Sequence, residues 1–261
     1  MQPALPTPAY ILSDAHLGVA DAASEAALLA FAKGAARDAK TLVINGDLFD
    51  FWFTWSSVMP RVGYRVLAAL ADLCEADISV VWIAGNHDCW GGEPLVEAGA
   101  IYHVGPWRGT IGRWETLIEH GDGLRDKEDA PYRRLRAVLR HPLSEWAFRH
   151  LLHPDWAAAI ARASSHTSRT SRARDGGDGL RRVALDRLAN DSSLDLYVFG
   201  HSHAESFERA PGGGVYANPG AWLAQPTALR VTDGAVEIGS AAGGTFAPRA
   251  LLPRAADRST R

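Results

Sequence analysis

Five short apolar runs, each ending abruptly in a polar cluster, constrain this chain more than any other feature. They are "AYILSDAH", "TLVING", "ISVVWIAGN", "TLIEHGD" and "LDLYVFGHSH". Each gathers β-branched or aromatic residues over the length of a strand and then stops on Gly, Asn, Asp or His, the pattern of a buried strand feeding a loop. Between the early runs lie "ASEAALLAFAKGAARDAK", with apolar positions at helical spacing, and "PRVGYRVLAALADLCEA", opened by Pro60 near its first turn. Strand and helix in alternation predict a parallel sheet joined by right-handed crossovers.

The second half predicts hairpins. "IGRWETLIE" reads as a returning strand, and "SFERAPGGGVYANPG" and "ALRVTDGAVEIG" set Gly or Asp-Gly between short apolar runs. The expected class is therefore α/β, a layered sandwich of mixed sheets occupying residues 1–240. An insertion at about 129–174 interrupts it with three short amphipathic helices, "YRRLRAVLR", "PLSEWAFRHLL" and "PDWAAAIARA". They are separated at His141-Pro142 and His153-Pro154, where proline disfavours helix at the residue before it. The polar run "SSHTSRTSRARDGGDG" follows, and residues 241–261 read as a frayed, flexible tail.

With 47% hydrophobic residues among 261, the chain has enough apolar material for a substantial core. Its two cysteines, Cys74 and Cys89, make no disulfide framework, which fits a reducing cytoplasm. No apolar span approaches the ~18 residues of a membrane helix, so the protein is expected to be soluble or to bind membranes only at their surface. A net charge of −3 argues against nucleic-acid binding. The charge is uneven, with 13 basic against 7 acidic side chains between Leu124 and Arg182. That segment reads either as a grip on an anionic ligand or as a solvated helical face.

Metal-binding residue types stand at the strand ends: Asp14 and His16, Asp47, Asn86, His120, and His201 with His203. Residues two apart on a strand point the same way, so Asp14 and His16 can approach one ion together, and His201 and His203 share the spacing. Carboxylate and imidazole ligands suit Mn, Fe or Zn, and one carboxylate can bridge two cations.

In order, "SDAHLG", "NGDLFDFW", "GNHD", "HGD" and "GHSH" resemble the calcineurin-like metallophosphoesterase superfamily over roughly residues 9–220. The resemblance implies an αββα sandwich and two divalent metal ions, Mn first and Fe, Zn or Mg as alternatives. It places Asp14, His16, Asp47 and His203 on one ion, with Asp47 bridging, and Asn86, His120 and His201 on the other. Two cations ~3.5–4 Å apart screen the charge of a phosphoester or pyrophosphate and acidify water, the requirement for in-line hydrolysis at phosphorus. His87 is implied to face the phosphate as acid or charge stabiliser, so His87, Asp47 and Asn86 form the catalytic set. Asp88 and Asp50 are implied to orient histidine rings, and Asp122 is read as holding its own loop.

Within the superfamily, "NGDLFDFW", the helical insertion and "NPGAW" resemble the UDP-2,3-diacylglucosamine hydrolases of lipid A synthesis. That likeness implies a nucleotide-linked glycolipid substrate, touched by Asn86, His87, Asp129, Tyr132, Ser165, Arg169, Arg172 and His201. Leu135, Val138, Leu139, Trp146, Phe148, Leu151, Leu152 and Trp156 are candidates to line an acyl groove in the cap. One residue departs, because those hydrolases carry arginine where this chain has His87, "GNRD" against "GNHD". Histidine there is the choice of general phosphodiesterases, which keeps open a different phosphodiester, nucleotide diphosphate or small phosphoester as substrate. A metal-binding scaffold without activity is the reading outside enzymology.

Overall fold

The computed structural model describes residues 4–35, 38–157, 159 and 175–255. Its first half alternates as expected: β1 (Ala9–Leu12), α1 (Ala22–Ala35), β2 (Thr41–Asn45), α2 (Tyr64–Glu75), β3 (Ser79–Ile83), α3 (Glu93–Glu97) and β4 (Ile101–His103). Next come β5 (Trp107–Ile111), β6 (Trp114–Ile118), α4 (Ala130–Leu139), α5 (Pro142–Leu151) and α6 (Asp178–Asn190). The chain ends with β7 (Leu196–Val198), β8 (Ser206–Arg209), β9 (Val215–Asn218), β10 (Thr227–Val231), β11 (Ala235–Ser240) and β12 (Ala247–Pro253).

These strands make two sheets. One has seven strands in the order β12-β11-β10-β1-β2-β3-β4, the other five in the order β5-β6-β7-β9-β8. β1 to β4 pair in parallel, and β10, β11 and β12 extend the first sheet antiparallel. The β5/β6 and β8/β9 hairpins form as the turn residues predict, but β6, β7 and β9 run parallel to one another. Hairpin signals report only on neighbours in sequence, so this parallel centre is not written in them.

The alternation of side chains along each strand sorts the core into layers. Ile11, Val43, Val81 and Ile83 face Trp107, Trp114, Ile118, Val198 and Val215 of the other sheet. Tyr10, Leu12, Leu42, Ile44 and Trp82 point outward to Leu28 and Phe31 of α1 and to Val66, Leu70 and Leu73 of α2. On the far side, Leu117, Tyr197 and Tyr216 meet Leu180, Ala184 and Leu188 of α6. The arrangement is the αββα sandwich, with every helix layer lying on a sheet face.

Within its described part, 241–255, the tail expected to fray carries a strand instead. β12 pairs with β11 across a bulge at Ile238/Gly239 and closes one edge of the large sheet. Its side chains are mostly exposed, so it carries no hydrophobic pattern for the sequence to display; ladder hydrogen bonds hold it. The inserted segment forms α4 and α5 as expected, with helical backbone again at 154–157. No helix among the described residues is long and apolar enough to cross a membrane.

Ile11 is fully buried on the central strand of the inter-sheet core. Ile11→Ala should lower the unfolding free energy by about 2–5 kcal/mol, read by chemical denaturation, with far-UV circular dichroism unchanged at zero denaturant.

Candidate metal centre

The carboxyl ends of β1, β2, β3, β6 and β7 converge on one point between the sheets, and each delivers a polar loop there. Three groups of side chains offer donor atoms within 4.8 Å of one another: Asp14, His16 and His203; Asp47, His120 and His201; and His16, Asp47 and His87. Asp47 belongs to two of them. One of its oxygens, Oδ1, accepts the backbone N–H of His87 at 2.9 Å. The other, Oδ2, lies 3.2 Å from His120 Nε2, 3.7 Å from His16 Nε2 and 3.9 Å from His87 Nε2. A carboxylate so placed can span two cations.

Around it, His203 Nε2 stands 3.3 Å from Asp14 Oδ1 and 3.2 Å from His16 Nε2. The rings of His120 and His201 meet edge to face at 5.1 Å. A backbone carbonyl can only accept, so His120 Nδ1, 3.0 Å from the Asn45 carbonyl, carries a proton, which leaves Nε2, 3.2 Å from Asp47 Oδ2, as the nitrogen that takes up either a proton or a cation. The same logic gives His87, whose Nδ1 donates to the Asp50 carbonyl at 2.5 Å. His16 Nδ1 lies 3.4 Å from the Asp50 carboxylate, the orienting role foreseen for that residue.

The backbone accepts strain to build this centre. Asp14, His16, Asp47, His201 and His203 are five of the six described non-glycine residues with left-handed φ, at 54°, 45°, 51°, 61° and 59°. Such conformations cost of order 1–3 kcal/mol each and survive where the surroundings enforce them. Two glycines make room: a Cβ on Gly46 would sit 2.3 Å from His120 Nδ1, and one on Gly85 would sit 2.2 Å from Asp47 Oδ1.

Charge balance tests whether cations fit. Asp14, Asp47 and Asp88 are wholly buried together, and burying unpaired carboxylates costs several kcal/mol per ion. Burial by itself would raise Asp14, yet His203 and His120 outweigh it and bring its carboxyl down to about 2. Burial opposes protonation of His120, and the charges of Asp47 and Asp14 overcome it, pushing the imidazole up to about 10. Asp47 is driven low in the same way, chiefly by His120 and His87 against its burial. The imidazole protons thus supply positive charge that the acids demand and that metal ions would replace. Asn86 Oδ1, buried and without a hydrogen-bond partner among the described residues, is an acceptor of the type a cation takes. The donor set therefore fits two divalent ions.

Asp88 departs from its expected role. Rather than a histidine, it accepts the amides of Leu48 at 2.6 Å, Gly85 at 2.8 Å and Asp47 at 3.2 Å, and the Trp82 indole at 3.3 Å. It ties the Asp47 loop to the Asn86 loop from beneath. Burial and the nearby Asp47 raise its carboxyl to about 6. "NPGAW" braces Asp14 similarly, with Leu223 N–H donating to the Asp14 carbonyl at 3.2 Å and Trp222 N–H to that of Ser13 at 3.1 Å.

Asp122 holds more than its own turn. Its Oδ2 accepts Tyr132 Oη at 2.7 Å and Arg136 Nη1 at 3.1 Å, with Arg140 Nη2 at 3.5 Å. Tyr132, Arg136 and Arg140 recur at helical spacing, the one sequence signal that three polar heads share a face of α4. Tyr132, expected at substrate, is thus engaged with the loop. So is Asp129, whose carboxylate accepts Arg125 Nη2 at 2.7 Å and the Arg125 amide at 2.9 Å. Arg133 donates to the carbonyls of Gly123, Arg125 and Asp126. Four arginines of the basic segment, Arg125, Arg133, Arg136 and Arg140, therefore bind the protein's own chain around 122–129. Ser165, Arg169 and Arg172 lie outside the described residues.

The second cap helix is anchored through aromatics. Phe148 packs on Phe53 at 4.7 Å, Phe51 at 6.0 Å and Trp55 at 6.2 Å, all on the segment following Asp50. Of the proposed groove residues, Phe148 instead docks the cap, while Trp146 (53%), Leu151 (70%) and Trp156 (68%) are exposed.

Gly85→Ala should leave the fold in place and reduce bound divalent metal below the wild-type stoichiometry, because the methyl group displaces Asp47; atomic emission on dialysed protein reads this directly.

A family model described as calcineurin-like phosphoesterase matches residues 7–205. The chain is 30% identical over 220 residues to a UDP-2,3-diacylglucosamine hydrolase of Ralstonia nicotianae, covering 79% of this chain and 81% of that one. It is 29% identical over 216 residues to the protein of that name from Porphyromonas gingivalis (74% and 82% covered). To the one from Pseudomonas syringae pv. tomato it is 27% identical over 236 residues (88% and 94% covered). Among solved structures, a dimetal phosphatase from Danio rerio superposes with a TM-score of 0.51 at 12% identity, covering 94% of this chain and 98% of that one, a likeness of fold. With that family model matching most of its length, the chain belongs to the calcineurin-like phosphoesterase family, the metal-dependent hydrolases of phosphoester bonds.

Proposed function

We propose that the chain hydrolyses UDP-2,3-diacylglucosamine to UMP and 2,3-diacylglucosamine 1-phosphate. The observation that carries this reading is the run of relatives bearing that hydrolase name, matched over most of their length, together with a complete set of candidate ligands. Asp14, His16, Asp47 and His203 hold one ion and Asp47, Asn86, His120 and His201 the other, with Mn the first metal to test. Bound there, the ion pair supplies Lewis acidity that screens the phosphate and acidifies water.

The protein's own groups do the rest. His87, with Nδ1 fixed on the Asp50 carbonyl and Nε2 3.9 Å from Asp47 Oδ2, acts as an imidazolium that delivers its Nε2 proton to the departing phosphate oxygen. Asn86 and His201 are assigned to the same phosphate. Arg169, Arg172 and Ser165 are assigned to the nucleotide headgroup because arginine forks match phosphate oxygens. Apolar surface for the acyl chains is at hand in a cavity of about 470 Å³ beside Asp50, walled by Leu17, Phe51, Trp55, Val58, Met59 and Val62. The exposed Trp146, Leu151 and Trp156 favour a cap, at about 129–174, that rests peripherally on the cytoplasmic face of the inner membrane.

His87 favours a second reading, a phosphodiesterase of small soluble esters, since the lipid hydrolases carry arginine there. Purified protein given the acylated substrate and Mn should release UMP, and should turn over the acylated UDP-sugar faster than its deacylated form. No UMP with Mn or Mg, or indifference to the acyl chains alongside rapid bis-p-nitrophenyl phosphate hydrolysis, would decide for the second reading. Asp47→Ala should abolish hydrolysis with the fold retained. His87→Ala should cut turnover by 10²- to 10⁴-fold, the usual range for a lost general acid, with metal content held; loss of metal would instead make His87 a ligand.

A further inference from the structure

The cap's first helix ends on a residue that touches two ligand loops at once. Arg140 caps α4, and its Nη2 lies 3.4 Å from the Gly85 carbonyl and 3.5 Å from Asp122 Oδ2. Gly85 immediately precedes Asn86, and Asp122 lies two residues beyond His120. Among the described residues, no backbone hydrogen bond joins the loop at 84–90 to the loop at 119–123. The Gly85 peptide is gripped from both sides, its N–H by Asp88 from within and its C=O by Arg140 from the cap. Asp122 is likewise shared between Tyr132, Arg136 and Arg140, so the guanidinium is fixed by the same joint that docks α4. At a quarter exposed, the Arg140 side chain is shielded enough for these charge-assisted contacts to hold their geometry.

We propose that Arg140 is a positioning residue for the second cation, setting the distance between the Asn86 and His120 loops, so that docking of the cap and affinity at Asn86, His120 and His201 are one event. The first cluster, Asp14, His16 and His203, comes from loops that Arg140 does not touch, and its affinity does not depend on Arg140. This inference rests on the ligand assignment above and not on the substrate.

The test is equilibrium dialysis of the full chain against Mn²⁺ without substrate, with bound metal read by atomic emission and by the electron paramagnetic resonance of the coupled ion pair. Wild type and R134A, which removes a guanidinium from the exposed side of α4, should each hold two ions and give the coupled signal. R140A should keep one ion at wild-type affinity and bind the second about 10–100-fold more weakly, the usual cost of losing a group that supports a ligand, with the uncoupled signal in place of the coupled one. R140K, which can still reach the Gly85 carbonyl, should recover part of the second site. If circular dichroism shows R140A unfolded, R140Q carries the same expectation. Two ions at wild-type affinity in the folded variant, or equal weakening of both, would overturn the proposal. Fewer than two ions in wild type would overturn the ligand assignment beneath it.

Discussion

Everything in this molecule turns on negative charge buried at the end of a sheet. Asp14 and Asp47 sit in the protein interior with no exposed surface, ringed by imidazoles from loops far apart in sequence. Charged carboxylates do not stay in such a place without positive partners at a few ångströms. The requirement explains why the loops bend through left-handed backbone at the acids and histidines themselves, and why Gly46 and Gly85 have no side chain to spare. The strain is local, and the two-sheet sandwich behind it supplies the rigidity that sustains it.

Supporting groups divide into two tiers. From inside, Asp88, Asp50 and the segment at Trp222 fix the ligand loops through amides, a ring nitrogen and a carbonyl. From outside, the cap is attached at two places, Asp122 on the β6 loop and the Phe51, Phe53 and Trp55 cluster beyond Asp50. One joint is polar and the other apolar, and each lies on a segment that also carries groups of the centre. The insertion is thereby part of the frame of the metal centre as well as its roof.

The candidate ligands were legible in the chain because each stands directly past an apolar run, and strand ends in α/β proteins are where chemistry collects. The αβ alternation and the hairpins were equally legible, since both are local patterns. The parallel pairing of β6, β7 and β9 was not, and neither was β12, whose residues are exposed and held by ladder bonds alone. Asp88 shows a different limit. A carboxylate beside histidine in sequence suggests a histidine partner, yet the amides of three residues lie nearer in space and claim both its oxygens. The basic run from Leu124 onward shows the same limit, because charge in a sequence does not say whether its partner is a ligand or a carbonyl next door.

Read alone, the amino-acid order determined the layered α/β class, the seven candidate ligands and the presence of a cap, all of which follow from periodicity and from residue chemistry at strand ends. Tertiary structure alone decided that Asp47 stands between the two clusters, that Asp122 receives the cap and that Arg140 spans two loops. Those facts rest on contacts such as Gly85 to Arg140, Asp47 to His120 and Asp14 to His203, 55, 73 and 189 positions apart in the chain, and such distances come from how the sheets pack, which no local pattern encodes.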